Sequence, residues 1–258
     1  MARFFDIEKE NQLAIITINR PPVNALSLEV VEELSGILAD LRSDAGVKAL
    51  IITGAGPKAF IAGADITQFQ QGDLATVEKF IRRGQEVFEE LETYPKPVVA
   101  AINGVCLGGG NELAMACDLR LAAESARFGQ PEVNLGIIPG WGGTQRLPRL
   151  VGKTVAMEIL FLGQMIDARE AWRIGLVNQV VPDAELLAKA KELGQRLAAQ
   201  PPLALAAMKK AVRDGLDTTL DQGLELEVKA FLQVYQTEDA KEGVNAFLSK
   251  RKPEFKGK

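Results

Sequence analysis

Residues 103–118 read NGVCLGGGNELAMACD. Three glycines separate a short apolar run from a longer one, and a carboxylate, Glu112, stands in the first turn of the second run. Leu113, Ala114, Met115, Ala116 and Cys117 call for burial, and an ionised side chain among them is costly unless it is paired or serves a purpose. The stretch therefore predicts a glycine turn and a buried helix carrying a chemically significant acid. Gly108, Gly109 and Gly110 admit two readings. They let a tight turn pack closely, or they present bare backbone amides at a helix start. There the N–H groups lack internal partners and the helix dipole adds partial positive charge, an arrangement suited to an anion, permanent or developing. No Gly-Lys-Ser/Thr sequence follows, which excludes a nucleoside-triphosphate loop.

Working outward, residues 13–19 (LAIITIN), 47–53 (VKALIIT) and 98–102 are apolar and carry β-branched side chains, the pattern of buried strands, and a further strand is expected over 118–122. Ser27 stands as N-cap ahead of LEVVEELSGILADL, where Val30, Leu34, Ile37, Leu38 and Leu41 recur at helical spacing. A second, more polar helix covers 77–91, with Val77, Phe80, Ile81, Phe88 and Leu91 on one face. Strands alternating with helices predict an α/β core. Beyond Pro148 the character changes. MEILFLG, DAREAWRIGL, ELLAKAKELGQRLAAQ, PPLALAAMKKAVRDG and LDQGLELEVKAFLQVYQ read as successive helices, with one short strand within 177–181. There is no low-complexity linker, so the division is a catalytic core over residues 1–197 and a helical extension over 198–258.

Bulk properties narrow the chemistry. The net charge of −4 disfavours a nucleic-acid backbone as partner, and no apolar run of membrane-spanning length occurs. MARFFDIEKENQ lacks the apolar centre of a signal peptide. Cys106 and Cys117 both fall in apolar sequence and read as small buried hydrophobes, so a cytoplasmic location is expected. The chain has no histidine, which removes His-based triads, HExxH zinc sites and His proton shuttles. No metal site is expected. The stretch Gly54-Ala55-Gly56-Pro57-Lys58-Ala59 matches GxGxxA, but Pro57 and the following AFIAGAD do not open an amphipathic helix, so a dinucleotide fold is disfavoured. A second carboxylate, Glu132, lies in FGQPEVNLGIIPGWGG among Val133, Leu135, Ile137 and Ile138. Two glutamates in apolar settings are what carboxylate acid–base chemistry needs, because burial raises their pKa values toward neutrality. Trp141 reads equally as pocket wall or as core.

These residues resemble the enoyl-CoA hydratase (crotonase) family, through AFIAGADI at 59–66, NGVCLGGGNELAMACD at 103–118 and FGQPEVNLGIIPGWGGTQRL at 128–147. The likeness continues to KRKPEFKGK at 250–258. It implies an α/β fold of repeated β-β-α units wound into a spiral, with a C-terminal helical region that builds trimers, usually paired into hexamers. It also implies an oxyanion hole from the amides matching Ala64 and Gly109, which binds the thioester oxygen of an acyl-CoA. On the same basis Glu112 holds and deprotonates water while Glu132 exchanges the proton at C2, adding water to a short- to medium-chain 2-enoyl-CoA. The substrate-binding positions so implied are Ala62 near the adenine, Ala64, Asp65, Ile66 and Thr67 along the thioester, and Gly140. Many relatives carry Lys where this chain has Thr67, and Lys58 and Lys256, the latter from a neighbouring subunit, are the candidate substitutes near the phosphates. Coenzyme A belongs to the substrate, so no separate cofactor is expected. The expected partners are the acyl-CoA and further copies of the chain, with neither nucleic acid nor membrane. Within the same fold, a double-bond isomerase or a thioester hydrolase is the alternative, and a non-catalytic RNA-binding or scaffold member is a third reading. The presence of both glutamates favours hydration.

Overall fold

Successive strands divide between two sheets, and this division generates the fold. The computed structural model describes residues 2–70 and 72–258. β1 (Phe5–Glu10) and β2 (Leu13–Ile18) form an antiparallel hairpin, followed by α1 (Leu28–Ser43). Three strand–strand–helix units come next. β3 (Ala49–Gly54) and β4 (Ala59–Ala62) precede α2 (Thr67–Gln70) and α3 (Leu74–Glu92). β5 (Val98–Ile102) and β6 (Val105–Leu107) precede α4 (Gly109–Ala116). β7 (Leu119–Ala123) and β8 (Arg127–Gly129) precede a 3₁₀ turn, Pro131–Leu135. The first strand of each unit joins the larger sheet, and the second joins the smaller one. This is the β-β-α spiral. α5 (Gly143–Val151), α6 (Lys153–Leu162), β9 (Ile166–Asp167), α7 (Ala168–Arg173), β10 (Gln179–Val181) and α8 (Leu186–Ala198) follow. The larger sheet is ordered β1-β2-β3-β5-β7-β10 and the smaller β4-β6-β8-β9.

The larger sheet is parallel from β2 onward and covered on both faces, which is why β2, β3 and β5 are near-continuous apolar runs rather than alternating. Ile16, Ile52 and Ala100 face the core with α1 and α3, whereas Leu13, Ile15, Ile51 and Val99 face Leu186 and Ala190 of α8. Each of the leucine, isoleucine and valine side chains among these, almost wholly removed from water, contributes roughly 1.5–3 kcal/mol to the folded state. Ser27 caps α1 as expected, through its hydroxyl and the Val30 amide. α3 starts three residues earlier than the periodicity implied, because Asp73 accepts from the Thr76 amide at 2.8 Å and caps it. The sequence reading missed β1, β4, β6, β8 and β9. Most of these have two to four residues, too few for a period to register. It also missed α5, which tolerates Pro148 within it, and α11 (Glu238–Leu248).

α9 (Pro202–Leu216), α10 (Leu220–Tyr235) and α11 complete the chain. α9 and α10 pack on each other while leaving Leu216, Leu220 and Phe231 exposed, and Phe247 of α11 is exposed as well. Cys106 and Cys117 are free, buried thiols. No described helix is long and apolar enough to cross a membrane.

Candidate active site

β4, β6 and β8 lie side by side and parallel in the smaller sheet. Their C-terminal ends therefore open at one edge, the place where parallel α/β sheets bind ligands. The chain leaving β4 supplies residues 62–67, the chain leaving β6 supplies Gly108 and the start of α4, and the chain leaving β8 supplies Pro131 and Glu132. All three segments line one cavity of about 1280 Å³, closed by Val77, Ile81 and Gln85 of α3 and by residues 135–145.

Both readings of the triple glycine hold together. Gly108 has φ of 49°, and a Cβ there would lie 2.5 Å from Glu132 Oε1. A Cβ on Gly110 would overlap the Ile61 carbonyl oxygen. At Gly109 it would lie 2.5 Å from the Trp141 ring and 3.4 Å from the Ala64 nitrogen. Only bare backbone lets these segments meet. On the facing segment, Leu26 donates to the Gly63 carbonyl at 2.9 Å and accepts from the Asp65 amide at 2.8 Å. Extended backbone alternates its N–H groups, so the Ala64 N–H is left on the opposite edge, beside Gly109. Gly109 is the first residue of α4, and its amide has no acceptor four residues back. Two backbone donors therefore stand together at the cavity wall.

Glu112 is 2 % exposed. Its Oε1 accepts from the Trp141 amide at 2.8 Å and the Gly143 amide at 2.7 Å. These bonds favour the carboxylate, but burial outweighs them, and nearby Glu132 adds to it, so the pKa is pushed up to about 7. Burial likewise raises Glu132 to about 7. Gln130 is wholly buried beside Glu132, and the amide orientation that suits both groups puts its nitrogen 3.2 Å from each carboxylate oxygen. The loop that grips Glu112 is itself held from two sides. Gln85 of α3 donates to the Gly140 carbonyl at 2.7 Å. Arg146 of α5 donates to the Trp141 carbonyl at 2.8 Å while paired with Glu92.

Of the positions singled out from sequence, Ala62, Ala64, Ile66, Thr67, Gly109, Glu112, Glu132 and Gly140 line the cavity. Lys58, Asp65 and Lys256 do not. Asp65 turns its carboxylate away, to Arg20 at 2.6 Å and the Thr67 hydroxyl at 2.7 Å. Lys58 is exposed on the turn before β4. Lys256 is exposed at the chain end, its amide donating to Asp239 at 2.6 Å. The setting of Glu132 also differs from expectation. Val133, Leu135, Ile137 and Ile138 are exposed, the last three along the cavity, and the close approach of Gly108 together with buried Gln130 encloses the carboxylate instead. Trp141 is both wall and core: 2 % exposed, yet part of the cavity lining. Gln85 and Gln130 were missed, since a polar side chain in helix or loop sequence carries no mark of its direction. Among the described residues, no group of three His, Cys, Asp or Glu side chains is placed to hold a metal ion.

Fold and site together define a protein of the crotonase fold, with two carboxylates facing a pair of backbone amides. Residues 8–258 match the family described as Enoyl-CoA hydratase/isomerase, and the chain belongs to that family. It is 47 % identical over 249 residues to a short-chain-enoyl-CoA hydratase of Clostridium acetobutylicum, covering 96 % of this chain and 95 % of that one. It is 48 % identical over 250 residues to a crotonyl-CoA hydratase of Syntrophomonas wolfei, covering 96 % of each. The crystal structure of an enoyl-CoA hydratase from Bacillus anthracis superposes with a TM-score of 0.95 at 42 % identity, over 99 % of this chain and all of that one.

Proposed function

We propose that the chain catalyses reversible syn addition of water to a short-chain trans-2-enoyl-CoA, giving the 3-hydroxyacyl-CoA. The observation that carries this reading is the convergence of Glu112 and Glu132, both raised to about 7, on the Gly108–Gly109 turn. With the thioester oxygen between the Ala64 and Gly109 amides, C2 and C3 fall between the carboxylates. Water held by ionised Glu112 bonds through oxygen to C3 and gives a proton to that carboxylate. The C2=C3 π electrons move toward the thioester oxygen, and protonated Glu132 delivers its proton to C2. Passing one proton from Glu112 back to Glu132 restores the starting state, and one water has been consumed. Negative charge develops on the thioester oxygen, where each backbone donor is worth about 3 kcal/mol in the transition state. Dehydration of the 3-hydroxy thioester uses the same groups in reverse. Coenzyme A enters as part of the substrate and no further cofactor takes part.

The same reading places the enzyme in a reducing cytoplasm, where Cys106 and Cys117 remain thiols. It assigns residues 198–258, beyond the core of residues 1–197, to self-association as a trimer or hexamer.

The test is hydration of crotonyl-CoA, followed by loss of the conjugated thioester's ultraviolet absorbance. Glu112→Gln and Glu132→Gln are each expected to lower kcat by at least about 100-fold, the range of a lost acid–base group. Dominant double-bond isomerisation with Glu112→Gln nearly harmless would replace the hydratase reading with the isomerase one.

A further inference from the structure

Trp141 does more at this site than lend its amide to Glu112. The indole stands edge-on to Phe80 (ring centroids 4.9 Å apart, 80° between planes) and to Phe88 (5.4 Å, 76°). Its Nε1 donates to the Phe80 carbonyl at 3.3 Å. The ring is slotted between two helices at glycines. A Cβ on Gly84 of α3 would overlap its Nε1, and a Cβ on Gly109 of α4 would lie 2.5 Å from its benzo edge. A side chain so held has no free rotamer to move into.

The position of that edge decides its consequence. Gly109 carries one of the two oxyanion amides, and the amide of Trp141 itself holds Glu112. The ring is thus one residue from the group that binds the thioester oxygen and one from the group that holds water for C3. Ile81, Gly140 and Trp141 all line the cavity, and with the coenzyme A portion along residues 62–67, as the hydratase reading has it, an acyl chain continuing past C3 runs toward them. Ile81 is itself pressed onto Gly140, where a Cβ would lie 2.5 Å from its Cδ1. Behind the indole lies the Phe80–Phe88 core.

We infer that Trp141 is the specificity-determining residue that closes the acyl end of the pocket and limits the enzyme to short chains. The inference rests on the hydratase reading for its orientation of substrate, and it adds the residue that sets chain length. A hydrophobic wall discriminates about 10- to 200-fold per misfitting methylene, so one ring in the path of C5 and C6 is enough to impose a steep cutoff.

The experiment is kcat/KM for trans-2-enoyl-CoA substrates of four, six, eight and ten carbons with wild type, Trp141→Phe and Trp141→Ala. Far-ultraviolet circular dichroism and thermal midpoints show which variants fold. The expected result is a steep fall with length in the wild type and a ten-carbon to four-carbon ratio at least 10-fold higher in Trp141→Ala. Trp141→Phe, which keeps a ring in the slot, is expected to lie between, and it carries the test if the alanine variant does not fold. A purely structural role would lower every chain length alike and leave the ratio unchanged within twofold, which overturns the inference. Calorimetric binding of saturated butyryl-CoA and decanoyl-CoA separates this outcome from failure of the hydratase reading. If the wild type does not hydrate crotonyl-CoA, a preference for butyryl-CoA that Trp141→Phe relaxes still supports the wall. The same preference in wild type and variant removes it.

Discussion

Glu112 works against the fold that holds it. Its pKa, raised from 4.5 to about 7 by burial, means that the folded chain binds a proton more tightly there than the unfolded chain does. Stability from this group is therefore fully present below about pH 4.5 and falls as pH rises to about 7, with up to about 3 kcal/mol lost at alkaline pH. Glu112→Gln keeps an oxygen to accept from Trp141 and Gly143 but cannot ionise. Differential scanning calorimetry is expected to show this variant melting several degrees above the wild type at pH 8 and level with it at pH 4.5. An equal difference at both values would mean that the carboxylate is not destabilised by burial. This residue was legible in the sequence because a charge in an apolar run is locally anomalous. Lys58, Asp65 and Lys256 lie outside the cavity lining, which position in the chain alone does not reveal. Asp65 is next to a cavity residue in the chain, yet an adjacent residue of extended backbone faces the opposite way, and its carboxylate goes to Arg20.

At the scale of elements, α3, α4 and the loop between the Pro131–Leu135 turn and α5 form one packing unit around the indole of Trp141. Gly84→Ala places a methyl group on that ring and is expected to cost about 1–3 kcal/mol, the usual range for overpacking. The smaller ring of Trp141→Phe should return part of that loss in the double variant, so chemical denaturation of the four proteins is expected to give a non-additive cycle. Additive losses would show that α3 relieves the contact by shifting instead. Element type was legible wherever burial is two-sided and long. β2, β3 and β5 announce themselves as near-continuous apolar runs, and α1 by its spacing and its Ser27 cap. The smaller sheet was not legible, because β6 and β8 have three residues each. Their strand character comes from pairing with one another and with β4, an interaction between distant segments. The walls of the site are the ends of those strands, so the sequence pointed to its acids without revealing how they meet.

At the scale of the whole molecule, the C-terminal helices present apolar side chains outward. Phe231 is 65 % exposed and Phe247 83 %, with Leu216 and Leu220 above 70 %. Such a concentration is of the kind that marks an interaction surface, and the assembly proposed for residues 198–258 would cover it. Light scattering at micromolar concentration is expected to give the mass of a trimer or hexamer, and a monomer mass would refute the assembly. The order of strands carries a separate consequence. In both sheets the spatial sequence, β1-β2-β3-β5-β7-β10 and β4-β6-β8-β9, repeats the order of synthesis. No strand is ever inserted between two earlier ones. A chain emerging from the ribosome can lay each new strand on the edge just completed, extending two sheets in step from one end, so the spiral is a structure that can be built in the direction in which it is made.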